Sequence, residues 1–203
     1  MAGATGAGQG LAQRQMNASK QALRREVAAV LRAMTPAERE AASGQARELL
    51  ASRPQWRAAR SVLFYAPMAE ELDVWPLLEQ ALGAHKRVGL PRFSPEAAAY
   101  VACEVRDLGL DLKPGHFGIL EPAGHCAAFS LKWLDFILVP GVAFDLQGRR
   151  LGRGKGFYDQ LLAGLRGVTC GVAFDQQIVR QVPVTPNDIR MNCVLTPTRW
   201  IGL

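Results

Sequence analysis

Between Leu134 and Val139 the chain reads Leu-Asp-Phe-Ile-Leu-Val, apolar at every position but one, and Pro140 closes the run. A strand with one wet face alternates apolar and polar residues, because successive side chains point to opposite sides. An unbroken run of branched and aromatic residues needs cover on both faces, the situation of a central strand in a parallel sheet. Parallel neighbours require crossover connections, usually helices, so such a strand commits its chain to an alternating α/β plan.

The flanking sequence supplies the partners. Short apolar segments at 61–65, 87–90, 99–103, 168–174 and 193–196 read as further strands. A helix is expected from Ser19 to about Met34, with Leu23, Val27, Val30, Leu31 and Met34 on one face. Thr35-Pro36-Ala37-Glu38 is a capping box with proline at the first helical position, opening a second helix to about Ser52. Asp73 is placed to cap a helix to about Leu82, with Pro76 in its first turn, and another helix should run over 157–165. The expected fold is α/β: a mostly parallel sheet with helices on both faces, preceded by an N-terminal helical pair. The first 18 residues are rich in Ala, Gly and Gln and lack both acids and a secretory apolar core. They are expected to form a flexible extension to one domain at 19–203.

Composition narrows the class. Hydrophobic residues make up 49% and charged residues 21% of the 203, as in an ordinary globular domain. No apolar run approaches the roughly 20 residues of a membrane span, so no membrane partner is expected. Four cysteines without CxxC spacing, and no secretory signal, predict a reduced, cytoplasmic protein. The net charge of +6 raises the possibility of a nucleic-acid binder. The sharpest basic cluster, Arg149, Arg150, Arg153 and Lys155, lies in one glycine-rich loop, however, which suits a small polyphosphate better than a long backbone. A nucleic-acid binder would lose affinity steeply with salt.

That loop, Pro140 to Asp159, follows the apolar run and opens onto a helix. Ligands of open α/β sheets settle at the carboxyl ends of strands. Gly152, Gly154 and Gly156 alternate with Arg153 and Lys155, so main-chain N–H groups can approach phosphate oxygens without a Cβ between them. The helix start near Phe157 adds partial positive charge. Asp159 could hold a magnesium ion beside the phosphates. The loop is not a Walker A motif, because Gly156 follows Lys155 where Ser or Thr is needed. Nor is it the dinucleotide fingerprint, since its spacing is GxGxG. Taken alone it could equally be a solvated basic turn.

The motif LGRGKGFYD, preceded by VPGVAFD, closely resembles the signature of the 5-formyltetrahydrofolate cyclo-ligase family. Weaker segments match in order: SKQALR, YAPMAEELD, FGILEP and VPVTPNDIRMN. The resemblance implies an enzyme that uses ATP and magnesium to convert 5-formyltetrahydrofolate to 5,10-methenyltetrahydrofolate. ATP phosphorylates the formyl oxygen and nitrogen 10 closes the ring. It implies ATP binding by Lys20, Arg24, Arg150, Gly152, Arg153, Gly154, Lys155, Gly156 and Tyr158, with Lys155 and Arg153 catalytic. Met68, Glu71, Arg153 and Phe157 would contact the folate, and Asp159 and Asp188 would hold Mg2+. A monomer without nucleic-acid partners is expected. The sequence departs from the family at Asn192, where an aspartate is usual, and at Phe157, where tyrosine is common; Asn187 falls within family variation.

Plainer readings stand beside several of these. Lys20 and Arg24, four apart, also fit an ordinary solvated helix surface. Glu70, Glu71 and Asp73 also fit a polar loop. His116, His125 and Cys126 lack a fourth zinc ligand at sensible spacing. His85 reads as a surface residue, and Trp56, Trp133 and Trp200 as packing residues. An isomerase or acyl-CoA transferase on a related scaffold would need a glutamate nucleophile, and no motif presents one.

Overall fold

The computed structural model describes residues 5–115, 118–163, 165–185 and 188–203. In chain order the helices are α1 (Thr5–Ala33), α2 (Pro36–Ala51), α3 (Pro54–Ala58), α4 (Trp75–Gly83), α5 (Leu108–Asp111) and α6 (Phe157–Leu162). The strands are β1 (Ser61–Leu63), β2 (Arg87–Ser94), β3 (Ala99–Val105), β4 (Leu112–Pro114), β5 (Leu120–Pro122) and β6 (Phe136–Pro140), followed by β7 (Ala143–Asp145), β8 (Arg150–Leu151), β9 (Val168–Val172), β10 (Ile178–Val179), β11 (Cys193–Leu195) and β12 (Trp200–Gly202).

Seven strands form the main sheet in the order β12-β11-β9-β6-β1-β2-β3. The five inner strands run parallel, and β3 and β12 add antiparallel edges. The apolar run thus lies at the centre of a mostly parallel sheet, as its composition requires. Alternation within it divides the core. Phe136 and Leu138 join Val62, Phe64, Val88, Leu90 and Cys170 under α1–α4, whereas Ile137 and Val139 join Leu63 and Val194 under α6. Helices therefore lie on both faces, but unevenly: α1–α4 cover one side, with Leu108 of α5 packed at its edge, and the six-residue α6 the other. Each fully buried Leu, Ile or Phe contributes roughly 1.5–3 kcal/mol, so this single strand anchors both layers.

The capping box forms as expected. Thr35 Oγ1 accepts from Glu38 N at 3.2 Å, and Glu38 Oε2 accepts from Thr35 N at 2.7 Å. Asp73 sits one residue before the Val74 N-cap, yet its Oδ1 accepts from Trp75 N at 2.9 Å, so it still satisfies a first-turn donor. His85 adopts φ 58° just beyond α4, the left-handed position that ends many helices.

Three expectations are corrected. The first helix begins at Thr5, not Ser19, so residues 5–18 are helical. Ser19 is no cap; its hydroxyl donates back to Gln15 O at 3.0 Å. Over 11–18 the good helix formers Leu, Ala, Gln, Arg and Met extend the helix beyond its packed part. Second, Val30 turns outward and is 43% exposed, while Val27 and Leu31 carry the burial. Third, Trp56 packs edge-on against Phe64 and Phe136, but Trp133 is 70% exposed. Trp133 contributes its backbone instead, its carbonyl accepting from the Ser61 hydroxyl.

Candidate active site

The sheet order locates the site before any side chain is considered. From β1 the chain moves to β2 on one side, and then β6 and β9 fall on the other. The winding reverses between the parallel neighbours β1 and β6, and open sheets bind ligands outside the carboxyl ends of strands at such a switch point. The segment after β1 carries Met68 and Glu71, and the segment after β6 carries the glycine loop.

The loop is built on a small second sheet, β10-β7-β8. Asp145, fully buried at the end of β7, organises it. Its Oδ1 accepts from Gln147 N (3.0 Å) and Arg149 N (3.1 Å), and its Oδ2 from Arg149 Nε (2.6 Å) and Val182 N (2.9 Å). Gln177 fixes the loop's start by donating to Gly141 O (2.8 Å) and Val142 O (3.0 Å). Neither residue was singled out from sequence, although an aspartate three residues before Gly148 is a turn signal. Beyond β8 the backbone takes φ 98° at Gly154 and φ 71° at Gly156, conformations that exclude most side chains. Gly156 is also the N-cap of α6.

Charged side chains from distant elements converge on this loop. Arg24 of α1 donates from Nε to Gly152 O at 2.9 Å. Lys20, one turn earlier, donates to Asp188 Oδ2 at 2.8 Å, and Thr185 N donates to the same oxygen at 2.6 Å. Burial pushes the Asp188 carboxyl up, and the Lys20 and Thr185 bonds outweigh it and hold it below the usual carboxylate range. Arg150, almost wholly buried, donates to Asp159 Oδ1 at 2.6 Å and to Pro140 O at 3.3 Å. Its guanidinium lies 5.8 Å from the Tyr158 ring centre. Arg153 crosses the switch point to donate to Glu71 Oε1 at 2.9 Å, and Glu71 Oε2 accepts from Met68 N at 3.0 Å. Each of the three predicted acids is therefore paired with a predicted base: Glu71 with Arg153, Asp159 with Arg150, Asp188 with Lys20. Lys155 is exposed and has no ionic or hydrogen-bond partner among the described residues.

An aromatic wall flanks the pairs. Phe157 meets Tyr100 at 5.3 Å and Phe93 at 5.5 Å between ring centres. Phe93 and Tyr100 are register partners on β2 and β3, and sequence reading had given neither a role. The Tyr158 hydroxyl is driven well above its ordinary pKa by desolvation, with Glu71 and Tyr100 adding to the effect against Arg150, so it stays a donor. On the far side, a recess of about 350 Å³ is lined by Arg149, Arg150, Val184, Thr185, Asp188, Ile189 and Arg190. Asp188 and Arg150 thus border one cavity, and Asp159 is reached from it through its bond to Arg150. Carboxylates at its margin are the oxygen donors that a hard divalent cation takes.

The remaining candidates resolve as follows. Asn192 accepts from Thr169 N at 2.8 Å and Thr169 Oγ1 at 2.9 Å, which ties β9 to β11 and accounts for it structurally. His116, Phe117 and Asn187 lie outside the described residues. Among the described residues, His125 and Cys126 come together with Asp111, the His125 Nε2 to Asp111 Oδ1 distance being 2.9 Å. Those are three donors among the described residues, one fewer than a structural zinc site uses.

Fold and site together define an open α/β protein with a glycine-rich, cationic loop at its topological switch point, walled by aromatic rings. The comparisons with known proteins make this specific. The model of the 5-formyltetrahydrofolate cyclo-ligase family matches residues 16–197, and the chain belongs to that family. The 5-formyltetrahydrofolate cyclo-ligase of Escherichia coli K12 is 34% identical over 172 residues, which is 83% of this chain and 94% of the relative. The solved structure of 5,10-methenyltetrahydrofolate synthetase from Aquifex aeolicus superposes with TM-score 0.82 at 34% identity, covering 91% of this chain and 92% of that one. The Mycoplasma pneumoniae synthetase, at 19% identity and TM-score 0.70, shares the fold over 88% of this chain and 98% of its own.

Proposed function

We propose that this enzyme converts 5-formyltetrahydrofolate and ATP to 5,10-methenyltetrahydrofolate, ADP and phosphate. The observation that carries the reading is the Arg153–Glu71 contact across the switch point. It joins the phosphate-type loop after β6 to the carboxylate and aromatic side after β1, so one residue can sense both reactants.

The chemistry needs activation because an amide oxygen is a poor leaving group. The formyl oxygen of the folate attacks the γ-phosphorus, the bond from that phosphorus to the β–γ bridging oxygen breaks, and ADP leaves. Nitrogen 10 then attacks the activated carbon and loses its proton. The carbon–oxygen bond breaks with release of phosphate, leaving a cation shared between nitrogens 5 and 10. The chain's contribution is positioning and charge. Gly152, Gly154 and Gly156 offer main-chain donors to the phosphates, with Lys20, Arg24 and Tyr158 completing the nucleotide site. Arg150 adds charge from beneath, and its buried Nε has no acceptor among the described residues. Lys155 is already free to follow the transferring phosphoryl group, and Arg153 leaves Glu71 for phosphate as the folate takes that carboxylate. Met68 and the Phe157 ring complete the folate contacts. Asp159 and Asp188 are the residues that would hold Mg2+, which when bound would neutralise phosphate charge.

The three ion pairs give this reading a physical logic. Each acid and base neutralises its partner until ligands arrive, and the partly buried charges of the Lys20–Asp188 and Arg150–Asp159 pairs would be costly if left single. Nucleotide and metal therefore exchange partners with the chain rather than entering an uncompensated field. Four unpaired cysteines, all buried, fit a reducing cytoplasm, and the reading takes the working unit to be a monomer.

The test is stoichiometry: ADP should appear one for one with methenyl product, and only when both substrates are present. ADP release without folate would sink the coupling. The metal assignment has its own check. Asp159→Asn and Asp188→Asn should each shift the magnesium titration of the rate to higher concentration, since an amide is a poorer ligand for a hard cation. Unchanged titrations in both variants would mean that the nucleotide alone holds the metal.

The helical arm makes a further prediction. Residues 12–15 and 17–19 of α1 are exposed, so a chain starting at Ser19 should keep full activity. A chain starting after Arg25 loses Lys20 and Arg24 and should show a raised KM for ATP. Equal ATP affinity in the two truncations would reduce the arm to a packing element.

A further inference from the structure

Glu121 is a buried carboxylate without a sufficient partner. It lies on β5, is 5% exposed, and its Oε1 has no hydrogen-bond partner among the described residues. A buried acceptor left unmade is costly, and a carboxylate more so, so such a group calls for a partner that arrives from outside. The side chain is also held in place. A Cβ added at Gly115, across the β4–β5 hairpin, would come within 2.4–2.7 Å of Glu121 Cβ, Cγ and Cδ, so the glycine backbone packs directly on it.

Its position relates it to the site. Strand β5 packs against β2 and β3, the strands whose facing residues Phe93 and Tyr100 form the aromatic wall beside Phe157. Tyr100 feels both acids: desolvation, then Glu121, then Glu71 raise its phenol above the ordinary value. Glu71 is occupied by Arg153 and by Met68 N, and none of the three ion pairs reaches Glu121.

We propose that Glu121 is a specificity-determining residue that accepts hydrogen bonds from a planar amidine-type N–H edge, the adjacent 2-amino and N3–H donors of the folate's pyrimidinone ring. This rests on the folate reading above and deepens it. A carboxylate offers acceptors only, matching an edge that offers donors only, and the aromatic wall supplies the flat surface against which a fused ring lies. The site then reads the ring through an acid that no base has claimed.

The experiment measures initial rates of the full chain on 5-formyltetrahydrofolate and on its 2-desamino analogue, with wild type and Glu121→Gln. The amide keeps the shape but turns a donor toward donors. Glu121→Gln should raise the folate KM about tenfold or more, the scale for a hydrogen bond to a charged group, and leave the ATP KM unchanged. Wild type should discriminate against the desamino analogue by a similar factor, and Glu121→Gln should lose that discrimination. A wild type that turns over both folates equally well overturns the proposal even if the variant folds poorly. So does a folded Glu121→Gln enzyme with an unchanged folate KM. A wild type that makes no methenyl product at all would instead remove the folate reading, and this inference with it.

Discussion

Lys155→Ala should lower turnover roughly 100-fold or more while leaving the unfolding midpoint where it was. The two halves of the result have separate causes. Lys155 is exposed on a loop, outside both halves of the core, so its removal takes no packing from the native state. In the proposed reaction it closes on the phosphoryl group and supplies positive charge where negative charge develops, and losing one transition-state donor of that kind costs about 10²–10³ in rate. Among the predicted basic residues of the loop, Arg153 is committed to Glu71 and Arg150 to Asp159. Lys155 can meet a phosphoryl group without breaking a contact first. Steady-state rates at saturating ATP, with urea unfolding alongside, check both halves. Near-normal turnover in the variant would remove Lys155 from the mechanism.

Asp145→Ala should do the reverse and act on stability first. The carboxylate is fully buried and takes four N–H donors, three from the main chain and one from the Arg149 guanidinium. Truncation strands the donors of the β7–β8 turn and leaves Arg149 without its counter-charge. Breaking a buried pair by deleting one partner costs about 3–5 kcal/mol, a large fraction of the 5–15 kcal/mol that holds a typical domain. The urea midpoint should fall accordingly, and activity should fall with it, because Arg150 and the glycine loop hang from that turn. An unchanged midpoint would show that the loop is organised by something other than Asp145. Asp145→Asn, which keeps one acceptor oxygen, should lie between the two.

What could be read from the sequence depended on how local its cause was. The central strand was legible because burial on both faces leaves a mark in four consecutive residues, Phe136 to Val139. The α2 start was legible because Thr35 and Glu38 satisfy each other within one turn. The glycine loop was legible as a motif, and its resemblance to one family pointed to Glu71 and Asp188, each far from it in the chain. What the loop rests on was not legible. The three-stranded β10-β7-β8 sheet pairs Ile178 with Phe144 and Arg150 with Phe144, contacts that no periodicity announces. At the edges, β3 was read from its apolar run but its antiparallel direction was not, and β12 was not read at all. The start of α1 was missed for a different reason: no cap or apolar stripe marks it, and Gly6, Gly8 and Gly10 argue locally against a helix. The pairing of each acid with a base joins residues as far apart as Lys20 and Asp188 and is visible only in the folded chain.

The measurement that bears most directly on the whole account is the absorbance of 5,10-methenyltetrahydrofolate in a solution of the purified enzyme and 5-formyltetrahydrofolate. With ATP and magnesium the methenyl band should rise to completion, and with either omitted it should stay at the uncatalysed rate. No band in the complete mixture, or the same band without ATP, would contradict the account.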